Sequence, residues 1–216
     1  MIVELSHRIT HGMVTYPGIP VPEIGVHLSR EDSKQVYAPG TEFTIGMITL
    51  ATNTGTYVDT PFHRYADGSD LSEFPLDRLV DLPGLVIRAE GLPSVGLELL
   101  KGREVYGRAV LLHTGWDRHF GTGQYLSGHP YLEPEAADWL AEQGAALVGI
   151  DSLNMDDTPS GGERPAHTRF LAAGIPLVEH LTGLDTLPDD GFRFHAAPPM
   201  IAGLGTFPVR AYAIVP

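Results

Sequence analysis

The second half of the chain alternates strand-like and helix-like segments, and this order constrains the fold more than any other feature. VLLHTG at 110 to 115 is a buried-strand run, PEAADWLAEQG at 134 to 144 has helical features, and ALVGID is a strand ending at Asp151. PAHTRFLAAG then predicts a short helix from about Pro165 to Gly174, and IPLVE a strand ending at Glu179. Pro134 suits a first helical position, Ala136, Leu140 and Trp139 supply an apolar face, and Gly144 supplies a stop. A β-α-β-α-β order reads as an α/β domain. In open α/β sheets functional groups gather beyond the carboxyl ends of strands, which is where Asp151 and Glu179 fall.

The first half adds strands without helices. MIVELSHRI at the start, TIGMITL at 44 to 50 and GLVIRAE at 84 to 90 are short apolar runs, and the closing GTFPVRAYAIVP reads as one more strand. Pro208 in that last run points to a sheet edge or a bulge. YPGIPVPEIG and YAPGTEF carry too much Pro and Gly for long regular structure and read as ordered loops. Together these segments predict a mixed sheet in a single domain spanning residues 1–216, a length one core can support.

Composition narrows the partners. With 14 basic against 27 acidic side chains the formal charge is −13, which opposes binding to nucleic acid or to an anionic membrane. No long apolar span and no secretory leader is legible, so the expectation is a cytoplasmic protein acting on a small molecule. The absence of cysteine excludes disulfides and thiolate metal sites, leaving His, Asp, Glu, amide, phenol or water as ligands for any metal.

The chemistry concentrates in NTGTYVDTPFH, residues 53 to 63. Read as extended chain, its alternation turns Asn53, Tyr57, Asp59 and His63 to one side and Thr54, Thr56 and Val58 to the other. Gly55 admits a close backbone approach, and Pro61 ends sheet pairing before His63. A second pair, His167 on the short helix and Glu179 at the end of the next strand, is twelve residues apart and can meet across a tight αβ connection. His7, His11, His27, His119 and His129 lie in polar or turn-rich surroundings and read as surface groups. The Asp156-Asp157 pair reads as solvated charge. His180 faces away from Glu179 by strand parity and reads as a packing or supporting residue.

This stretch resembles the H-x-G-T-H-x-D-x-P-x-H hallmark of the cyclase-type metal-dependent hydrolases, the family that includes bacterial kynurenine formamidase and isatin hydrolase. The resemblance continues through ELSHRI, MVTYPG at 13 to 18, LLHTGW at 111 to 116, LVGIDSLNMD at 147 to 156, AHTRFLAAGIPLVEHLTGLD at 166 to 185 and GTFPVRAYAI, in order along nearly the whole chain. It implies a swivelling β/β/α domain, a kynurenine formamidase-like fold, in a homodimer or higher homo-oligomer. It also implies a zinc or manganese centre. The family's metal ligands map onto Asn53, Tyr57, Asp59, His167 and Glu179, its acid/base onto His63, and a pocket-lining aromatic onto Tyr16.

Two of those ligand positions depart from the pattern. An amide oxygen at Asn53 is a weak ligand, and the Tyr57 phenol, with a pKa of about 10, binds a divalent metal well only when ionised. The expectation is therefore one divalent metal, zinc or manganese, on Asp59, His167 and Glu179. His63 then moves the proton, Tyr57 steadies developing charge, and Asn53 and Tyr16 contact the substrate. The corresponding function is hydrolysis of a small amide, cyclic amide or lactone. The alternatives are a non-catalytic small-molecule binding protein on the same scaffold and a metal-free acid/base enzyme using His63 and Tyr57.

Overall fold

The structure is a computed structural model describing residues 1–158 and 162–216. Thirteen strands occur among them: β1 (Ile2–Glu4), β2 (Glu23–Leu28), β3 (Ile45–Thr49), β4 (Tyr57–Asp59), β5 (Leu82–Arg88), β6 (Ser94–Val95), β7 (Ala109–His113), β8 (Tyr131–Leu132), β9 (Leu147–Ile150), β10 (Leu177–Glu179), β11 (Arg193–His195), β12 (Thr206–Pro208) and β13 (Tyr212–Ile214). Three α-helices join them: α1 (Arg30–Val36), α2 (Pro134–Glu142) and α3 (Pro165–Ala172). Nine strands form one mixed sheet in the order β1-β13-β11-β5-β7-β9-β10-β4-β12.

The middle of that sheet, β5-β7-β9-β10, is parallel, as the alternating segments of the sequence require. Its strands are apolar almost throughout because both faces are covered. Val110 and Leu112 of β7 and Val148 and Ile150 of β9 pack with Leu140 of α2 and Phe170 of α3. The intervening Leu111 and Leu147 turn to a second core with Val58, Val178 and Phe194. The two helices end where Gly144 and Gly174 adopt left-handed backbone, with φ of 77° and 67°.

Three expectations are corrected. The closing segment is two strands, because the chain turns after Pro208: β12 is the edge strand beside β4, while β13 pairs with β1 and β11. The strand at 44 to 50 does not join the main sheet but pairs with β2 in a separate ribbon. Part of the presumed loop at 16 to 25 is β2 itself, since PEIGVHL keeps its proline ahead of the paired residues.

Candidate active site

The site is built around β4, a strand of only three residues. In register, Tyr57 lies opposite Glu179 of β10 and Asp59 opposite Thr206 of β12. Tyr57 and Asp59 project to one face while Val58 enters the core. The rest of the motif is not extended. Residues 53 to 56 bend and 61 to 63 form a 3₁₀ turn started by Pro61, which carries His63 back over the same face. Gly55 serves a different purpose from ligand approach: its φ is 66°, and an added Cβ would meet Ile9 at 3.2 Å.

One cleft of about 200 Å³ is lined by Tyr16, Asn53, Tyr57, His63, His167 and Glu179 among others. Asp59, fully buried, lies beneath it. His167 Nε2 is 3.7 Å from Asp59 Oδ2 and 3.6 Å from Glu179 Oε1, so both carboxylates face one ring nitrogen. The other nitrogen, Nδ1, is held by Asp156 at 2.6 Å. His63 Nδ1 lies 2.7 Å from the Thr206 hydroxyl, which donates to Asp59 Oδ1. Because the ionised Asp59 only accepts, the Thr206 proton goes to it, and His63 Nδ1 is the nitrogen that donates to Thr206, which in a neutral ring is its one N–H. That leaves His63 Nε2 with a free lone pair.

Glu179 is held on both oxygens. Oε1 accepts from the Met155 backbone N–H at 2.6 Å, and Oε2 accepts from the Tyr57 hydroxyl at 2.7 Å. The Tyr57 hydroxyl thus gives its one proton to Glu179 in this structure. Burial and then the charges of Glu179 and Asp59 push the Tyr57 pKa well above its usual value, with the Asn53 amide pulling the other way. The phenol therefore stays protonated.

The electrostatics of the cluster are those of a site short of positive charge. Burial opposes a charge on His167, yet Glu179, Asp156 and Asp59 together raise its pKa to about 10. Burial, opposed by His167, raises Glu179 to about 7. Burial also works against ionisation of Asp59, but contact with His167 and the charges of His63 and His167 overcome it and lower its pKa. Among the described residues Asp59 Oδ2 is buried without a hydrogen-bond partner, an arrangement that native proteins rarely leave uncompensated. An imidazole fixed at Nδ1 by a carboxylate, with Nε2 facing two more carboxylates, is a typical supported metal ligand, so the residues fit one divalent cation. A compact group with all ligand atoms within 4.8 Å of one another consists of Asp59, His63 and His167.

Three contributors escape a reading of sequence. Asp156 is fully buried rather than solvated, and besides His167 Nδ1 it accepts from the Ala166 backbone N–H. Thr206 reaches the site only because β12 pairs with β4, 147 residues on from Asp59. Asn154 lines the cleft 3.5 Å from Glu179 Oε2. His129 is likewise buried, bonded to Thr158 at 3.0 Å, and not a surface group. His180 is buried beside Tyr125, 2.8 Å from its hydroxyl. Asp151, at the end of β9, accepts from Thr114 and Gly115 and holds that turn.

This fold and cleft define a class: an α/β domain whose mixed sheet carries a buried carboxylate–imidazole cluster on a short antiparallel strand. Residues 3–157 match the cyclase family, and the chain belongs to it. A kynurenine formamidase of Bacillus cereus is 27% identical over 210 residues, covering 97% of this chain and 95% of its own. That of Geobacillus thermodenitrificans is 26% identical over 211 residues with the same coverage. Among solved structures, an isatin hydrolase bound to the product analogue thioisatinate superposes with a TM-score of 0.82 at 24% identity, covering 100% of this chain and 92% of that one. A potential metal-dependent hydrolase with cyclase activity has a TM-score of 0.79 at 22% identity, covering 99% and 96%.

Proposed function

We propose that the protein is a hydrolase of a small amide, cyclic amide or lactone, cleaving its amide substrates at the carbon–nitrogen bond in the manner of its formamidase relatives. The observation that carries this reading is the His63–Thr206–Asp59 relay beside the His167–Glu179 pair, all opening on one cleft. Asp59, His167 and Glu179 would hold one divalent cation, zinc or manganese, an N/O set that suits either. Such a cation, when bound, acidifies water and polarises a carbonyl.

The remaining work falls to the chain. Thr206 fixes the His63 tautomer, so that Nε2 takes a proton from the attacking water and returns it to the leaving group. Tyr57 and the Met155 backbone N–H orient Glu179, making Tyr57 a positioning residue. Tyr16 and Asn53 line the wall against which a substrate rests. A second reading makes His63 the third ligand in place of Glu179, since its ligand atom belongs to the compact group with Asp59 and His167. We take the working protein to be a cytoplasmic homodimer, a state supported by the exposed apolar ribbon of β2 and β3.

Elemental analysis of protein purified without a histidine tag should give one equivalent of metal. Glu179→Gln should lose it and His63→Ala keep it, the reverse pattern favouring the second reading. On a panel of aryl formamides, cyclic amides and lactones, His63→Ala should lower the rate by roughly 10² to 10⁴ without unfolding. No turnover and no metal would leave the binding-protein alternative.

A further inference from the structure

Asn154 is buried, at 7% exposure, yet it borders the cleft, and neither the proton relay nor the proposed ligand set uses it. It sits in the turn that follows β9, where the Asp156 backbone N–H donates to Asn154 Oδ1 at 3.0 Å. That bond tells the two ends of the amide apart, because an N–H requires the oxygen. Nδ2 is therefore the end turned to Glu179, and it has two protons to donate. Among the described residues its contact is Glu179 Oε2 at 3.5 Å, the outer limit of a hydrogen bond, and that oxygen already accepts the Tyr57 hydroxyl at 2.7 Å.

The other donors of the cleft are engaged or lie further out. Tyr57 gives its proton to Glu179, the Asn53 amide acts on the Tyr57 phenol, His167 Nδ1 is held by Asp156, and His63 Nδ1 faces the Thr206 hydroxyl. Tyr16 and Arg164 are half-buried and Arg64 is exposed, and both arginines also border the neighbouring cleft, which Asn154 does not. Asn154 is moreover fixed in one frame with the site. Met155 donates its N–H to Glu179 Oε1, and the Asp156 carboxylate holds His167, so three consecutive residues address the cluster. Hydrolysis builds negative charge on the carbonyl oxygen of the scissile group. Above a floor that holds Asp59 and Glu179, a buried donor fixed by its own turn meets that charge without having to reorganise.

We infer that Asn154 is a catalytic residue whose Nδ2–H donates to the carbonyl oxygen of the scissile group as that oxygen becomes an oxyanion. For an amide, the water oxygen adds to the carbonyl carbon, a water proton passes to His63 Nε2, and the carbonyl π pair moves to the oxygen that Asn154 faces. Collapse re-forms the carbonyl and breaks the carbon–nitrogen bond, while His63 returns the proton to the leaving nitrogen. This inference rests on the hydrolytic reading above and adds a residue to it.

Asn154→Asp keeps the acceptor of the turn and removes both donors, while Asn154→Ala removes the whole amide. On formanilide, each variant loaded with zinc should lose roughly 10²-fold or more in kcat with KM and metal content little changed, as for a lost oxyanion donor. Thioformanilide, whose sulfur accepts hydrogen bonds poorly, should be turned over more slowly than formanilide by the wild type. That gap should narrow in both Asn154 variants and persist in Tyr57→Phe. An undiminished kcat, a loss of metal together with activity, or a gap that narrows in Tyr57→Phe instead overturns the assignment and leaves hydrolysis standing. A second readout does not depend on turnover. Asn53 and Asn154 are the two asparagines of the chain, so asparagine-selective ¹⁵N labelling gives two side-chain amide signals, told apart by Asn154→Asp. In the zinc-loaded His63→Ala protein, formanilide should move the Asn154 amide protons downfield and aniline should leave them in place. If formanilide is not hydrolysed by the wild type, the hydrolytic reading fails for aryl formamides, and this titration decides the donor by itself. Asn154 signals unmoved by saturating formanilide, or moved equally by aniline, overturn it.

Discussion

In the proposed mechanism the proton chemistry turns on Thr206. Its hydroxyl donates to Asp59 and accepts from His63, so one side chain couples the buried charge to the half-exposed ring. Thr206→Val keeps the shape but removes both bonds, freeing the His63 tautomer and leaving Asp59 Oδ1 without its hydroxyl donor. Its kcat should fall roughly tenfold or more, within the range for a lost acid/base aid, with KM and metal content little changed. Loss of metal together with activity would assign Thr206 a purely structural role. The case also marks how far sequence reaches. Asn53, Tyr57 and His63 can be assigned to one side by alternation. Thr206 lies in a strand 147 residues away from Asp59, and only the sheet order brings the two together. Asp156 is hidden for a related reason: adjacent acidic residues usually signal solvated charge, and nothing local shows that Asp156 lies within 2.6 Å of His167.

At the scale of elements, the 3₁₀ turn at 61 to 63 replaces the extended chain that alternation implies, and backbone packing against glycine holds it. A Cβ on Gly205 would lie 2.1 Å from the His63 backbone nitrogen, and one on Gly68 would lie 2.6 Å from the Pro61 carbonyl carbon. The Gly205 carbonyl also accepts the Thr60 N–H at 2.7 Å. Gly205→Ala must therefore push the turn away, at a cost of about 1–3 kcal/mol typical of overpacking. Activity should fall much as in His63→Ala, while metal binding through His167 persists. A crystal structure of the variant with His63 unmoved would refute this account. By contrast, the parallel strands were legible because β7, β9 and β10 are continuous apolar runs separated by helices with proline starts and glycine stops. Such local signals survive without tertiary context. The split of the last strand into β12 and β13 was not legible, since a proline marks an edge without saying where the chain turns.

On the scale of the whole molecule, the β2–β3 ribbon stands apart from the nine-stranded sheet and is apolar on both faces. Ile24 pairs with Ile48 and shares a face with Val26, while Met47 lies on the other, and these side chains are 45%, 53%, 61% and 59% exposed. An isolated two-stranded ribbon is marginal in water, and apolar exposure on this scale marks an interaction surface. Its two ends run into the cleft wall: Tyr16 and Ile19 precede β2, and Asn53 follows β3. Thr15 ties the first of these segments to the second through its bond to the Gly55 N–H at 2.8 Å. A second copy covering the ribbon would therefore steady the substrate wall as well as bury apolar surface. Sedimentation of the wild type should show a dimer, and the Val26→Glu/Ile48→Glu double variant a monomer. Because the relay and the proposed metal ligands lie on β4, β10, β12, α3 and the 3₁₀ turn, the monomer should keep any metal that the wild type binds and lose affinity for substrate more than turnover, with KM raised and kcat largely retained. A wild type that sediments as a monomer at micromolar concentration would remove the dimer, and a dissociated variant with unchanged KM would show that the ribbon does not steady the cleft.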